Sequence, residues 1–497
     1  MSDTAYSGAL QADTTHSKPP MALMAAIAFV VIALMRGPYA AVNWPDDAFY
    51  SEVALLWRQG FIPYVHAFDV KPPGFFAVLA LIQNLFGPNL VALRTVGGLS
   101  DALTIVLLLR FAWQRQALGI GIFTSILYAW FLNVLEADDC YSLLIALTTL
   151  AMMLAMSKLS LPQRAVAAGL AIGAAGVVKQ TAAFEGLAIL LILMTATSKT
   201  PDRLKSGALF AGCALIVPGL CCAYFAFHGG LAALLTDTIG FALQRPGASS
   251  DHVSFLEGIG RLLLYSFFIS PLLLAAAGVT LFPSRFPRFR RDISPLRYWL
   301  LASLSSIVVQ RALLPSYLGA LLPPVLLLTG IALATRLENR RDTARRGAWL
   351  AVAVLMVASL IRFVVLKPED MSSVERASTA IHMAAPRPDD RLYVIGASIR
   401  SIWIYVQTGL KPPLPYIIPS QQSCHFPNVG PDRIDEAFAA RPRFVVTERE
   451  GKAYGCETED IASRIRSALA RDYRLIAEVG GTAEQYNLYE IKDMPAP

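Results

Sequence analysis

The chain has 497 residues, 55% of them hydrophobic and 16% charged, with a net charge of +7 and a mean hydropathy of +0.50. A soluble globular protein carries about a quarter charged residues, so this composition excludes that class. It also argues against a nucleic-acid partner. Residues 367–497 hold 16 basic and 18 acidic side chains, a net of −2, so the surplus of +9 lies in the apolar part, in a few short loops. Basic residues confined to short loops orient a membrane protein.

The polar start, residues 1–20, ends in Lys18-Pro19-Pro20 and leads into an apolar stretch at 21–37. A cleavable signal peptide has a similar profile, but the strongest motif follows immediately, so 21–37 reads as an uncleaved first span. Apolar runs long enough to cross about 30 Å of hydrocarbon recur as far as Leu366. The basic loops Arg110/Arg115, Lys158/Arg164, Lys199/Arg203/Lys205, Arg285 to Arg297 and Arg336 to Arg346 are expected to be cytoplasmic. Spans that alternate around them are 21–37, 90–110, 117–134, 140–157, 163–178, 182–198, 207–228, 258–282, 298–310, 314–335 and 347–366. The expected fold is therefore a polytopic α-helical membrane domain, residues 21–366, with eleven crossings and an inward N-terminus. Its long outward loops are 38–73 and 229–257. The short apolar segment 74–86, bounded by Pro72-Pro73 and Gly87-Pro88, reads as an interfacial or partly inserted helix.

Beyond about residue 367 the hydropathy drops. Segments 391–396, 443–448, 473–479 and 485–491 alternate as strands, and 371–385, 432–440 and 457–471 have helical periodicity. This predicts a small α/β domain, 367–497, on the outward face. Cys424 and Cys456 fall in that tail, where an oxidising compartment permits a disulfide between them. The other four cysteines lie in or beside spans and read as small apolar side chains. No C-x-x-C is present to suggest zinc.

The chemistry-bearing residues cluster at outward positions. Asp46-Asp47, in NWPDDAFYSE, is an adjacent acid pair just past the first span. Such a pair serves as a general base, holds a divalent cation, or is simply a solvated loop pair. Lys71, in FDVKPPG, precedes two prolines that restrict its backbone to extended geometry. Its ammonium suits a phosphate, or a lipid headgroup reached by snorkelling. Glu136, Asp138 and Asp139 place three acids in a turn at a hydrocarbon edge, which favours a polar cavity over bare lipid. Lys179 and Arg311 are outward cations within apolar stretches, suited to the phosphate of a lipid donor or to a headgroup.

NWPDDAFY, FDVKPPGFFAVLALIQNLFG and the arginine in LVALR together resemble the first outward loop of the GT-C glycosyltransferases. The likeness is to bacterial protein O-mannosyltransferase-like proteins and the lipid A aminoarabinose transferase. LGIGIFTSILYAWFLNVLEADDCYSLLIAL resembles their second acidic loop, GAAGVVKQTA a glycine-rich span ending in lysine, and LLPSYLGALLPPVLLLTGIALA a late span that often begins with His-Tyr. DRLYVIGASIRSIWIYVQTGLKPP resembles the soluble domain of many bacterial members.

The resemblance implies an inverting transfer of a sugar from a polyprenyl-phosphate donor to a periplasmic acceptor, which is lipid A or another lipopolysaccharide, a protein, or an envelope polysaccharide. It implies a multi-pass protein of a bacterial inner membrane. Carried over by position, Asp46 matches the catalytic acid, Asp47 the acid beside it, Lys71 the lysine on the donor phosphate, and Asp139 or Asp138 the second-loop carboxylate. Two departures bear on the substrate. Ser316 stands where many relatives have histidine, and Val70 separates Asp69 from Lys71, where the aminoarabinose transferase has an acid directly before its lysine. No particular cofactor is called for, an obligatory metal is not expected, and a divalent cation at Asp46 and Asp47 is left open. The alternative from another class is a transporter or lipid flippase using the same outward polar cavity. No repeated half-structure supports that alternative. A third alternative is a non-catalytic assembly protein built around residues 368–497.

Overall fold

The computed structural model describes residues 20–37, 40, 42, 46–135, 137–240, 255–310, 314–339, 354, 357, 370–396, 399–417, 432–448, 459–480 and 485–492. The predicted span 347–366 therefore lies outside the described residues, apart from two isolated positions.

Helix α1 (Met21–Met35) starts at Pro20 and runs through 15 residues with one buried edge, Met24, Ala28, Val31 and Met35, at the three- and four-residue spacing of a helix face. The loop that follows α1 is not plain coil. It contains α2 (Asp47–Arg58), with an acid in its first turn and Arg58 in its last, as the helix dipole favours. The short apolar segment forms α3 (Gly74–Phe86), stopped by Gly87 at a φ of 78°. There follow α4 (Leu90–Trp113), α5 (Leu118–Val134), α6 (Asp139–Ala155), α7 (Leu161–Gly176), α8 (Ala182–Thr195) and α9 (Thr200–Phe227). Their starts are set by local chemistry. The Asn89 side chain accepts from the Ala92 amide, the Asp138 side chain accepts from the Tyr141 amide at 2.8 Å, and Ser160 with Gln163 closes a capping box on α7.

After α9 come the short α10 (Leu231–Leu235), which runs into a π turn at Thr236–Gly240, then α11 (Phe255–Leu281), α12 (Arg290–Gln310), a 3-10 turn at Pro315–Leu321 and α13 (Leu322–Asn339). Each predicted span up to 314–335 coincides with helix. The number of crossings is a separate matter. Among the described residues three helical stretches are long and apolar enough to cross a membrane by length and composition, namely Leu90–Trp113, Thr200–Phe227 and Pro315–Arg336. Along consecutive helices from α4 to α8, the links at 135–138 and 177–181 fall at the end of the bundle that carries Arg94. The basic links after α4, α6 and α8 fall at the other end.

The C-terminal part forms α14 (Ser372–Met383), β1 (Leu392–Ile395), α15 (Trp403–Thr408), α16 (Asp432–Ala439), β2 (Phe444–Glu448), α17 (Glu459–Asp472), β3 (Tyr473–Gly480) and β4 (Gln485–Ile491). The sheet order is β1-β2-β4-β3, with β1 and β2 parallel and the other pairs antiparallel. Strand alternation divides its side chains between two cores. Leu392, Val394, Phe444 and Val446 face the core shared with the membrane helices, while Tyr393, Ile395 and Val445 face α16 and α17. The domain docks on the segment between α2 and α3. The Phe68 amide donates to the Pro415 carbonyl at 2.8 Å, Gln59 Nε2 donates to the Gly409 carbonyl at 3.2 Å, and Lys411 Nζ lies 4.1 Å from the centre of the Phe61 ring.

Glu52, on α2, is 1% exposed, and neither carboxyl oxygen has a hydrogen-bond partner among the described residues. Burial pushes its carboxyl well above the ordinary glutamate value. An unfolded Glu releases its proton near 4.3, whereas folded Glu52 holds it, so this group opposes folding increasingly as pH rises above about 4.3 until its folded value is reached. Glu52→Gln is therefore expected to melt at a higher temperature than the wild type at neutral pH, with the gap narrowing as pH falls toward 5. Thermal unfolding in detergent across that range checks this. A gap that is constant or widens at low pH refutes it.

Candidate active site

Two helices begin at the same end of the bundle with an acid pair: α2 with Asp46-Asp47, and α6 with Asp138-Asp139. In each, the first acid is the N-cap and the second the first helical residue. The structure sends the two members of each pair in different directions.

The second members are buried and committed to arginines. Arg94, on α4, donates from Nη2 to Asp47 Oδ2 at 2.5 Å and to the Val42 carbonyl at 2.6 Å, and its Nη1 is paired with Asp139. Asp139 also lies 3.6 Å from Arg36 Nη2 at the end of α1. Arg36 is paired with Asp101 of α4 and donates to Ser142 Oγ at 2.9 Å. Tyr128 of α5 donates to Asp101 at 3.1 Å. Asp47, Asp101 and Asp139 are each 0–1% exposed. Gly97 is required where this network passes, because a Cβ there would lie 1.8 Å from Asp139 Oδ1. A cavity lined by Arg36, Arg94, Gly98 and Asp139 adjoins it.

The first members meet Lys71. Lys71 Nζ is 3.2 Å from Asp46 Oδ2, and Tyr50 OH lies 3.0 Å from that oxygen and 2.7 Å from Asp138 Oδ2. Tyr50 carries one phenolic proton, so it donates to one carboxylate at a time. The Lys71 ammonium lies 4.7 Å from the centre of the Tyr50 ring. Burial pushes the Asp138 carboxyl up to about 6, the Asp46 charge adds to this, and Lys71 opposes it. Burial alone would lower the Lys71 value, but Asp46, Asp69 and Asp138 outweigh it and raise it, keeping the ammonium charged. Asp69 accepts from the Lys71 amide at 2.8 Å, and burial raises its carboxyl. Asp237, on the π turn, is pushed up to about 7 by burial and by Asp69.

The Lys71 segment is strapped down. The Tyr64 hydroxyl donates to the Lys71 carbonyl at 2.7 Å, and Gln180 Nε2 donates to the Val70 carbonyl at 3.2 Å and the Thr238 carbonyl at 2.7 Å. The Gly74 amide donates to the Val177 carbonyl at 2.6 Å, an approach that leaves no room for a Cβ. Lys179, two residues beyond Val177, sits against two tyrosine rings, 3.8 Å from the Tyr141 centroid and 4.5 Å from that of Tyr317, with the Tyr141 hydroxyl as its hydrogen-bond partner. Tyr317 follows Ser316 in the 3-10 turn.

Of the residues singled out in the sequence, the structure thus brings Asp46 and Lys71 together directly and Asp138 to them through Tyr50, with Lys179 near enough to act on the Asp138 charge. It places Asp47 and Asp139 in the arginine network instead. Glu136, Arg311, Cys424 and Cys456 lie outside the described residues. Among the described residues no group of three or more His, Cys, Asp or Glu is arranged to hold a metal ion. Sequence reasoning passed over Tyr50, Arg36, Arg94, Asp101, Tyr141 and Asp237 as site residues. Two of these carry a signal: Tyr50 is one helical turn from Asp46, and Arg94 is an ionisable residue in an apolar stretch.

The chain is thus a helical bundle in which Asp46 and Lys71 converge at one end, with a small α/β domain packed beside them. Residues 70–222 match the family described as dolichyl-phosphate-mannose-protein mannosyltransferase. The structure of ArnT from Cupriavidus metallidurans bound to undecaprenyl phosphate is similar at a TM-score of 0.65 and 17% identity, over 96% of this chain and 99% of that one. Its apo state gives 0.63 and 16%, over 94% and 97%. The oligosaccharyltransferase AglB from Archaeoglobus fulgidus is more distant, at 0.47 and 10% over 87% and 69%. No curated protein sequence matches significantly. The chain therefore has an ArnT-like fold, and its residues 70–222 match that mannosyltransferase family.

Removing one partner of a buried ion pair costs about 3–5 kcal/mol, because the remaining charge is stranded. Arg94→Ala is expected to lose stability on that scale, and Gly97→Ala to destabilise in the same direction by displacing Asp139. Thermal unfolding of the purified variants measures both, and wild-type melting of Arg94→Ala would show that the network is not structural.

Proposed function

We propose that the protein is an inverting glycosyltransferase that moves a sugar from a polyprenyl-phosphate donor to an acceptor on the outer side of a bacterial inner membrane. The observation that carries this is the 3.2 Å contact between Asp46 and Lys71, with Tyr50 bridging to Asp138. The family match and the ArnT-like fold support it. The eleven-crossing topology belongs to the same proposal. It places the acid–lysine site and residues 367–497 on the outward face.

In this reading an acceptor hydroxyl or amine gives its proton to the Asp46 carboxylate as its oxygen or nitrogen bonds to the anomeric carbon. The bond from that carbon to the donor phosphate oxygen breaks, and the phosphate takes the electron pair. Lys71 neutralises the developing charge, with Lys179 and Arg311 as further cations along the donor. Asp138 and Tyr50 hold the base in place. Lipid A or other lipopolysaccharide, protein and envelope polysaccharide are the candidate acceptors, and the donor carries a hexose or a pentose.

Comparing envelope glycolipids and glycoproteins by mass spectrometry, in cells with and without the gene, identifies the product. In vesicles reconstituted with that donor and acceptor, Asp46→Asn is expected to lower transfer by about 10²–10⁴-fold, and Lys71→Ala by a similar factor, both with unchanged melting. Full activity of Asp46→Asn removes the assignment. Transport of the labelled donor without any covalent product favours a transporter instead.

Tyr50→Phe breaks hydrogen bonds to charged groups, each worth about 1.5–3 kcal/mol, so turnover should fall about 10- to 100-fold with KM little changed. With Asp138 pushed up to about 6, its charge, and the hydrogen bond that it draws from Tyr50, are present above that pH and lost below it. Turnover is therefore expected to decline as pH falls through 6, and Asp138→Asn to lose that limb of the profile. A pH profile unchanged in Asp138→Asn refutes this role.

A further inference from the structure

At the other end of α4, far from the acid–lysine site, an apolar cleft opens between α4, α5 and α13. Its walls include Leu108, Phe111, Ile120, Leu327 and Ala334, with Phe289 at one edge, and it is a groove open along one side, not a closed cavity. Arg94 lies in the first turns of α4 and Arg115 just past its last turn. A helix of 24 residues spans about 36 Å, so the cleft and the acid–lysine site lie at opposite faces of a hydrocarbon layer about 30 Å thick.

The rim of this cleft is basic and built in place. The Arg115 guanidinium lies 3.4 Å from the centre of the Phe111 ring, and its Nε donates to Asp292 at 2.8 Å. Arg288 Nη2 donates to the Arg115 carbonyl at 2.5 Å, which fixes the segment after α11 against the mouth. Residues 283–297 contain Arg285, Arg288, Arg290, Arg291 and Arg297, all exposed, against one carboxylate, Asp292, which is already held by Arg115. An arginine fork binds phosphate oxygens in pairs. A cation-rich rim beside an apolar groove complements a molecule with an anionic head and an alkyl tail.

We propose that this cleft is a binding site for an anionic phospholipid, with one acyl chain between α4, α5 and α13 and the headgroup phosphate on Arg288, Arg290 and their neighbours. Soluble phosphate would leave the cleft unfilled, and a zwitterionic lipid would set its own cation against the arginines. The site is independent of the chemistry at Asp46.

The full-length protein in detergent, incubated with phosphatidylglycerol and phosphatidylcholine of equal chain length, is to be examined by native mass spectrometry. Preferential retention of phosphatidylglycerol is expected. A basic residue near an anionic headgroup is worth about fivefold in binding, so Arg288→Gln/Arg290→Gln should reduce the preference about twenty-fivefold. Ala334→Leu, which fills the cleft, should lower retention of the lipid. Melting is measured for each variant, and Arg285→Gln/Arg291→Gln replaces the first pair should that pair fail to fold. Equal retention of the two lipids, an unchanged preference in the folded double variant, or displacement of the lipid by inorganic phosphate overturns the proposal.

Discussion

The geometry of the site depends on Arg94 lying between Asp47 and Asp139. A guanidinium 13% exposed is tolerable only if carboxylates take its donors, and its planar fork accepts two of them. Those two are the first helical residues of α2 and α6. Successive helical residues are turned by about 100°, so when the second acid of each pair points at Arg94, the capping acid before it is directed elsewhere. Asp46 and Asp138 are thereby turned toward Lys71 and Tyr50. A buried network with a structural role aims the exposed acids. The two helix N-termini add a further term, since their dipoles favour nearby carboxylates and offset part of the repulsion between Asp46 and Asp138.

The cations are held with equal care. Lys71 lies on a loop segment fixed by Tyr64 and Asp69 from within, by Gln180 from the α7–α8 turn, and through Phe68 by the Pro415 carbonyl of the C-terminal domain. A loop with so many fixed points places its side chain about as well as a helix would. Positioning of this kind is what electrostatic stabilisation of a leaving group requires. The soluble domain is accordingly part of the site's support, although none of its described residues reaches Asp46. Its inner sheet face joins the membrane core, so the loop is held between two packed bodies.

Hydropathy exposed the helical stretches, and alternation exposed all four strands, because both signals are local and repeat along the chain. Asp46 and Lys71 were legible because unusual residues flank prolines beside a span and match a familiar loop. Which member of each acid pair does what was not legible. That choice is made by Arg94 and Arg36, whose partners lie 45 to 106 residues away in sequence, and only packing brings them together. Helix α2 was missed because its apolar residues face a fold partner, the C-terminal domain, that the local pattern does not reveal. The crossing number stayed open for a physical reason too. Segments such as Gly74–Phe86 and Leu231–Gly240 are apolar but short, and length alone does not distinguish a partial insertion from a packed surface helix.

One turn of helix links the two halves of the site. Asp138 caps α6 by accepting the Tyr141 amide proton, while the Tyr141 ring and hydroxyl face Lys179. The acid that shares Tyr50 with Asp46 and the tyrosine that holds the second cation are therefore three residues apart on one rigid element. Burial is the main reason that Asp138 and Asp69 hold protons more tightly than ordinary aspartates, with the Asp46 charge adding to it and Lys71 opposing it. A phosphate can approach such a surplus of carboxylates only from the side where the lysines stand. The carboxylates thus leave the lysine side as the face that favours an anion.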